Sequence, residues 1–327
     1  KFITMSKGLV IGKFMPLHQG HLSLIEFAAA HCQQLFILLG VNKQEPIPGH
    51  LRLQWLKEAV AHLPQVQIVL AETNLPATSV ASREVSRQWA NYIGEVMPPV
   101  DLVFSSEAYG PYVAEYLQAR HVGFDQARER VPVSATQIRE HPMQYWEYIA
   151  PPVRPYFVQK FCLYGPESTG KSILAEKLAA HFDTCFVPEV GRELIPRTST
   201  CTYADLQKVA VAHAELIKEK LKQANKILFL DTDVFTTQAY AEMLFNRALP
   251  VDDEILHINR CRHYFFLDTD VEYWQDGTRL GKESWPIQRE IFLRKLENEQ
   301  VSYSVIIGGW QERFERMVRI AEQYINR

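Results

Sequence analysis

The sequence contains few cysteines, and none of them are spaced as a disulfide framework or a metal site requires. The five cysteines are scattered over 327 residues, their number is odd, and no C-x-x-C pair occurs. Such sparse use of thiols is typical of proteins in a reducing compartment, so we expect a cytoplasmic protein without disulfides. The eleven histidines never combine with cysteines at zinc-site spacing, and we therefore expect no structural zinc.

The chain also lacks long hydrophobic runs and blocks of basic residues. Its longest apolar runs, such as LFILLGV at 35–41, have the length of a β-strand, and no signal-peptide pattern opens the sequence. The formal charge is −3, and no run of Lys and Arg is present. These features argue against a membrane protein and against a surface that coats nucleic acid.

Strand-like apolar runs alternate with amphipathic helical segments along most of the chain. This alternation predicts right-handed βαβ units and therefore an α/β fold with mostly parallel sheets. Four prolines and several aromatic residues interrupt the pattern around 142–156. We place a domain boundary there, near Pro151 and Pro152, which divides the chain into residues 1–150 and 151–327. The predicted strands are 8–14, 34–40, 66–71 and 101–106, then 160–165, 184–189, 226–233, 263–270 and 303–309; the predicted helices are 21–32, 50–62, 82–96 and 111–120, then 170–182, 202–224, 236–244, 285–299 and 310–326.

The second domain contains the sequence of a phosphate-binding loop. GPESTGKS at 165–172 matches G-x-x-x-x-G-K-[ST], follows an apolar strand and opens a helix. Backbone N–H groups of such a loop wrap around phosphate oxygens, and the helix N-terminus adds positive charge. Lys171 would reach the β- and γ-phosphates of ATP, and Ser172 would ligate Mg²⁺. The predicted ATP-binding residues of this loop are Gly165, Pro166, Glu167, Ser168, Thr169, Gly170, Lys171 and Ser172.

Two carboxylates end the strand KILFLDTD of the same domain. Because the carboxyl ends of parallel strands face a nucleotide bound at the loop, we expect Asp231 and Asp233 to be catalytic. One would hold Mg²⁺ and the other would activate the acceptor hydroxyl, and the spacing does not assign the two roles. Asp231 is our candidate metal ligand beside Ser172 and also a candidate acceptor contact. Alternatively, both carboxylates cap the turn that follows the strand.

Charged residues in two further loops are candidates for the acceptor and the transferred phosphate. Glu189, Arg192 and Glu193 follow the second strand of this domain, where they would meet the acceptor or form a plain surface ion pair. Arg279, in a polar stretch, is either a lid arginine for the phosphoryl group or a solvated loop residue. A phosphate loop alone does not separate a kinase from an ATPase, but the lack of an NKxD pattern counts against a GTPase.

The first domain places two histidines at the start of a helix. In GKFMPLHQGH at 12–21, His18 and His21 follow the first predicted strand, and Lys13 adds a third basic group. Imidazoles there, with the helix amides, can stabilise charge on a phosphate oxygen, although an ordinary polar helix cap is the alternative. At the end of the domain, Ser134 begins a second helix in a capping-box pattern. Thr136 and Arg139 lie three residues apart on its first turn, where they would grip a triphosphate.

These two motifs resemble the H-x-G-H and S-x-T-x-x-R pair of the nucleotidyltransferase superfamily. The order of the adenylyltransferase half, FSSE at 104–107, QYWEYI at 144–149, the phosphate loop, GRE and DTDVFTTQ is similar to that of the NadR family over essentially the whole chain. This family fuses a nicotinamide mononucleotide (NMN) adenylyltransferase, with a Rossmann-like fold, to a P-loop nicotinamide riboside kinase. The resemblance therefore implies a bifunctional enzyme of NAD salvage that uses Mg²⁺ and two molecules of ATP.

The resemblance also implies roles for residues of the first domain. Trp89 would stack on the nicotinamide ring of NMN, and Arg52 would contact NMN; the alternative for Trp89 is a place in the core. In the second domain, the resemblance implies that the acceptor is nicotinamide riboside, which Glu189, Arg192, Glu193 and Asp231 would contact. The ATP-binding set of the first domain is Gly12, Lys13, Phe14, His18, His21, Ser134, Thr136 and Arg139, of which His18, His21 and Arg139 are catalytic.

Many NadR proteins begin with a helix-turn-helix domain, which this sequence does not show. We therefore expect small-molecule substrates (ATP, nicotinamide riboside, NMN and NAD), no specific DNA binding and no membrane association, and we leave open whether the protein forms a homo-oligomer. Two other functions remain open. The first half could act on a different acceptor such as phosphopantetheine, or the chain could be a sensor that binds NAD and ATP without turnover.

Overall fold

Each half of the chain forms a five-stranded parallel sheet covered by helices on both faces, which confirms the predicted α/β class. The computed structural model describes residues 6–76, 82–195 and 197–326. By their internal contacts, the residues divide into two units, Lys1–Arg154 and Pro155–Arg327. This division and the predicted boundary at 150/151 both fall in the proline-rich segment.

The sheet of the first unit has the strand order β3-β2-β1-β4-β5. Its strands are β1 (Lys7–Gly12), β2 (Gln34–Val41), β3 (Val66–Glu72), β4 (Leu102–Ser105) and β5 (Arg120–Gly123); its helices are α1 (Gln19–Ala30), α2 (Gly49–Ala59), α3 (Arg83–Val96), α4 (Gly110–Tyr116) and α5 (Ala135–Glu140). β1 and β2 are apolar almost without interruption because both faces of a parallel sheet are covered. The order reverses at β1, so a crevice opens beyond the carboxyl ends of β1 and β4, where ligands bind in sheets of this kind.

The sheet of the second unit has the order β10-β9-β6-β8-β7. Its strands are β6 (Gln159–Tyr164), β7 (Phe186–Val187), β8 (Ile227–Asp231), β9 (His263–Leu267) and β10 (Tyr303–Ile306); its helices are α7 (Lys171–His181), α8 (Gly191–Leu194), α9 (Tyr203–Leu221), α10 (Val234–Phe245), α11 (Asp253–Asn259), α12 (Trp285–Asn298) and α13 (Trp310–Ile325), with the short α6 (Arg154–Phe157) before β6. Here the order reverses at β6, which leads directly into the phosphate-loop sequence. Both motif-bearing loops thus lie at the switch points of their sheets.

The structure differs from the sequence-based assignment in a few short elements. The helix predicted for 111–120 ends at Tyr116, because the chain then forms β5, a short edge strand. The helix Asp253–Asn259 was not predicted at all. Among the described residues, no helix has the length and apolar character needed to cross a bilayer.

Candidate active sites

A cleft of about 380 Å³ lies at the carboxyl edge of the first sheet. All eight predicted ATP-binding residues of this half line it: Gly12, Lys13, Phe14, His18, His21, Ser134, Thr136 and Arg139. They come from the loop after β1, the start of α1 and the start of α5. The parallel sheet therefore brings together two motifs that are more than a hundred residues apart in the sequence. We call this space the histidine cleft.

His18 and His21 pack against each other at the floor of the histidine cleft, with ring centroids 3.8 Å apart. His18 is the N-cap of α1, because its Nδ1 accepts a hydrogen bond from the Gly20 N–H at 3.1 Å. This arrangement places the proton of a neutral His18 on Nε2. Nδ1 of His21 is buried and has no hydrogen-bond partner among the described residues.

Their surroundings favour the neutral form of both imidazoles. Burial, with a smaller contribution from Arg128, lowers the pKa of His18 to about 4. Burial, His18 and Arg128 together lower the pKa of His21 well below its usual value. A neutral imidazole can still donate an N–H to a phosphate oxygen, and a bound polyanion would draw both pKa values upwards.

The second motif of this half forms a well-defined helix start opposite the histidines. Ser134 and Gln137 form the predicted capping box of α5. Thr136 and Arg139 lie on one face of the helix, since Arg139 Nη2 donates to Thr136 Oγ1 at 2.9 Å. Arg139 Nη1 also donates to the carbonyl oxygen of Met15, which ties α5 to the loop that carries His18.

A second cleft of about 370 Å³ shares Gly12 and Lys13 with the histidine cleft and includes Trp89 in its lining. Trp89 is only 4% exposed and belongs to the hydrophobic core of this unit. Its Nε1 donates to the carbonyl oxygen of Pro76 at 2.9 Å, and its ring packs on Gly40, where an added Cβ would come within 3.1 Å. Trp89 is therefore a core residue with one edge on this second cleft, which we call the tryptophan cleft. Stacking of Trp89 on nicotinamide stays a prediction.

The structure places Arg52 beneath the loop after β1 rather than in the lining of a cleft. It is completely buried and is not among the described residues that line either cleft. Its guanidinium donates to the carbonyl oxygens of Lys13 at 2.8 Å and Gly40 at 3.2 Å and pairs with Glu45 at 2.6 Å. Arg52 thus supports the loop after β1 from beneath. These contacts support an indirect role, and a direct contact with NMN stays a prediction.

The predicted phosphate loop of the second unit has the backbone that close contact with phosphate requires. Gly165 has φ +130°, and a Cβ there would meet the backbone oxygen of Leu267 at 2.6 Å. Gly170 adopts a left-handed conformation with φ +85° and precedes α7 directly. Lys171 is 8% exposed, and its ammonium donates to the carbonyl oxygens of Gly165 at 2.9 Å and Pro166 at 2.8 Å. Its side chain thus lies along the loop, beside the space that phosphates would fill.

A cleft of about 300 Å³, here called the kinase cleft, opens beside this loop. Six predicted residues line it: Glu167, Ser168, Lys171, Glu189, Arg192 and Arg279. Arg192 pairs with Glu189 at 2.7 Å, and Arg279 pairs with Asp276 at 2.9 Å. Glu193 is exposed on α8 and is not among the described lining residues, and its contact with the acceptor stays a prediction.

The two carboxylates after β8 have different environments. Asp231 is 1% exposed, and its Oδ1 has no hydrogen-bond partner within the described part of the chain. Burial and the neighbouring Glu189 raise the pKa of Asp231 to about 6, although Lys171 and a hydrogen bond from Ser172 act in the opposite direction. An unpaired buried oxygen beside the phosphate loop is the position that a magnesium ligand or a catalytic base would occupy.

Asp233, in contrast, accepts hydrogen bonds from the protein with both carboxylate oxygens. Its Oδ1 accepts the backbone N–H groups of Phe235 at 3.0 Å and Thr236 at 3.2 Å, and its Oδ2 accepts the hydroxyl of Tyr264 at 2.8 Å. It is thus the N-cap of α10, which was the alternative interpretation of this residue. These hydrogen bonds favour the capping interpretation, and the catalytic role of Asp233 stays a prediction.

Glu167 has a role that its position in the loop did not reveal. Its Oε1 accepts the hydroxyls of Thr198 at 3.2 Å and Tyr240 at 3.0 Å, and its Oε2 accepts the N–H of Leu280 at 2.9 Å. These partners come from three segments around the kinase cleft. No motif links them in the sequence, so only the folded chain shows that the phosphate loop anchors the walls of the cleft.

Comparison with known proteins matches both halves of the chain. Residues 9–141 match the cytidylyltransferase-like family, and residues 160–313 match the AAA domain family. The trifunctional NAD biosynthesis/regulator protein NadR of Escherichia coli (strain K12) is 32% identical over 97% of this chain and 82% of its own length. A solved NadR protein in complex with NR has a TM-score of 0.81 at 21% identity, covering 98% of this chain and 96% of that one. A second, in complex with NAD and AMP-PNP, has a TM-score of 0.80 at 20% identity, covering 99% and 97%. Both structures share the fold of the whole chain.

Proposed function

The chain belongs to the NadR family, and on this premise we propose that it makes NAD in two steps at two separate sites. In the second unit, nicotinamide riboside takes the γ-phosphate of ATP and becomes NMN. In the first unit, NMN takes the adenylyl group of a second ATP, giving NAD and pyrophosphate. The observation that carries this proposal is that each unit has its own cleft, lined by its own phosphate-binding motif, at the switch point of its own sheet.

In the kinase step, the protein aligns the reactants and neutralises charge. The phosphate loop and Lys171 hold the triphosphate, and Glu189 and Arg192 face the riboside. Ser172 and Asp231 are the residues that would hold Mg²⁺, and the unpaired Oδ1 of Asp231 fits this role. When bound, the ion neutralises charge on the phosphate oxygens.

In the adenylyl step, the nucleophile is the phosphate of NMN, so no protein nucleophile is required. His18 and His21 donate N–H groups to the α-phosphate as its coordination becomes crowded, and Arg139 adds a guanidinium from α5. The N-termini of α1 and α5 both face the histidine cleft, where their partial positive charges favour a polyanion. Trp89 lies on the adjoining tryptophan cleft, which is the space for NMN.

One assay tests the proposed function directly. The protein is incubated with nicotinamide riboside, ATP and Mg²⁺, and NMN and NAD are measured over time together with pyrophosphate. We expect NMN to appear first and NAD to follow with stoichiometric pyrophosphate, and omission of Mg²⁺ to abolish the first step. Acceptor choice is tested in a separate reaction that contains ATP and either NMN or phosphopantetheine. Phosphopantetheine should release no pyrophosphate above background. ATP and riboside binding without any product would show that the protein is a sensor.

The surroundings of the enzyme are part of the same proposal. All five cysteines are unpaired, which supports a reducing compartment such as the cytoplasm. The partners are small molecules, and the absence of specific DNA binding stays a prediction.

A further inference from the structure

The loop between β5 and α5 carries a basic residue that belongs to neither sequence motif. Arg128 lines the histidine cleft together with His18, His21 and Arg139. Its guanidinium is close enough to the two imidazoles that its charge lowers the pKa of both. Arg128 therefore adds a further cation to the wall of this cleft.

The loop holds Arg128 in a defined place. The carboxylate of Asp125 accepts the backbone N–H groups of Glu129 at 2.9 Å, Arg130 at 3.2 Å and Val131 at 3.3 Å. Arg128 itself has φ +54°, and its N–H donates to the carbonyl oxygen of Asp125 at 2.9 Å. A non-glycine residue in this conformation costs free energy, which the closed network around Asp125 offsets.

The present partner of Arg128 is weak enough to be replaced. Its Nη2 donates to Glu107 Oε1 at 3.1 Å, and the two side chains are 45% and 52% exposed. Exposed pairs of this kind contribute little to stability. A triphosphate carries several negative charges, and the cleft also presents the cations of Lys13 and Arg139, so it would compete effectively with the single carboxylate of Glu107.

The two clefts of this unit identify which substrate Arg128 would meet. Arg128 lines the histidine cleft, and it is not among the described residues that line the tryptophan cleft. We propose that Arg128 exchanges Glu107 for the triphosphate of ATP and then holds the departing pyrophosphate. This inference rests on the proposed adenylyl transfer and adds a specific ATP-binding residue to it. The planar guanidinium can bind two phosphate oxygens at once, which an ammonium cannot do with the same geometry.

The test compares Arg128→Ala with Arg130→Ala in the 327-residue chain. Arg130 is in the same loop and carries the same charge, but its guanidinium lies 5.3 Å from the ring centroid of Phe124, and it is not among the described lining residues. For Arg128→Ala we expect the KM for ATP in the forward reaction and the KM for pyrophosphate in the reverse reaction to rise about 10- to 100-fold, as for the loss of a charged hydrogen bond. The KM for NMN should change by less than about 2-fold, and Arg130→Ala should resemble the wild type.

Arg128 and Arg130 lie in the first unit, so the melting curve of each variant and its KM for NMN report whether that unit is folded. Arg128→Lys provides a second measurement and should give intermediate KM values for ATP and pyrophosphate, because it keeps the charge and loses the planar fork. An unchanged KM for ATP in Arg128→Ala, an equal rise in Arg130→Ala, or a rise confined to NMN would each overturn the inference. The wild type distinguishes the two levels of the argument. If it makes no NAD from NMN and ATP, the proposed function fails; if it does so and Arg128→Ala behaves identically, only the role of Arg128 fails.

Discussion

Replacement of Asp231 by asparagine should reduce kinase activity strongly, whereas the same replacement of Asp233 should change it little. Asp231→Asn removes a buried charge beside the phosphate loop, where Oδ1 has no partner among the described residues. We expect riboside phosphorylation to fall by about 10²- to 10⁴-fold, the range for loss of a metal-binding or proton-accepting carboxylate. Asp233→Asn keeps a capping oxygen for the N–H groups of Phe235 and Thr236, so kinase activity should remain within about 3-fold of wild type.

The stability of Asp233→Asn relative to the wild type should also depend on pH in a defined direction. Burial raises the pKa of Asp233 to about 7, although the hydrogen bonds from Tyr264 and from α10 act against it. Between the unfolded pKa and this value the folded state binds the extra proton, so the contribution of Asp233 to stability falls as pH rises through that window. Asparagine does not titrate, so the variant does not lose this contribution. Above pH 7 the free energy of unfolding of the variant should therefore exceed that of the wild type by at most about 4 kcal/mol from this effect.

Thermal melting at pH 5 and pH 8, with kinase turnover on the same samples, checks both effects. We expect the Tm of Asp233→Asn relative to wild type to be higher at pH 8 than at pH 5. A folded Asp233→Asn that lost riboside phosphorylation while Asp231→Asn kept it would refute the assignment of cap and catalytic residue. A Tm of Asp233→Asn relative to wild type that fell with increasing pH would contradict the raised pKa of Asp233.

Three further substitutions test the roles of single residues. Lys171→Ala should abolish riboside phosphorylation while NAD formation from added NMN survives, and loss of both activities in a folded variant would contradict this. His21→Ala should reduce kcat for adenylyl transfer by about 10²- to 10³-fold with little change in ATP binding, because the contact strengthens as charge develops; an effect on KM alone would make His21 a ground-state ligand. Trp89→Ala should lower the Tm, since the ring is 4% exposed in the core, and should also raise the KM for NMN; a destabilised variant with unchanged KM for NMN would leave Trp89 as core only.

The motif residues could be predicted from the sequence because parallel sheets impose where strands end. His21 and Thr136 lie far apart in the chain, yet both follow the carboxyl edge of the first sheet and line the same cleft. Lys171 likewise lies where strand, glycine-rich loop and helix must place it. In these cases the local pattern and the fold agree, and the position follows from either one.

The residues whose surroundings could not be predicted lie where spacing does not determine the direction of the side chain. Asp231 and Asp233 are two positions apart after the same strand, and only the start of α10 decides which one turns towards the helix. Arg52 is at the expected edge of the sheet, but it reaches the underside of the loop after β1 rather than a cleft. β5 was missed because Arg120–Gly123 is short, polar and partly exposed, which leaves no apolar run to detect.

Mixing two inactive variants tests most directly the claim that one chain carries two separate sites. Lys171→Ala and His21→Ala are each incubated with nicotinamide riboside, ATP and Mg²⁺, first alone and then as an equimolar mixture, and NAD is measured. We expect the first to leave the riboside unchanged, the second to accumulate NMN, and the mixture to form NAD because NMN made by one molecule is adenylylated by the other. A mixture of folded variants that accumulates NMN without forming NAD, or a Lys171→Ala protein that cannot use added NMN, would contradict the account.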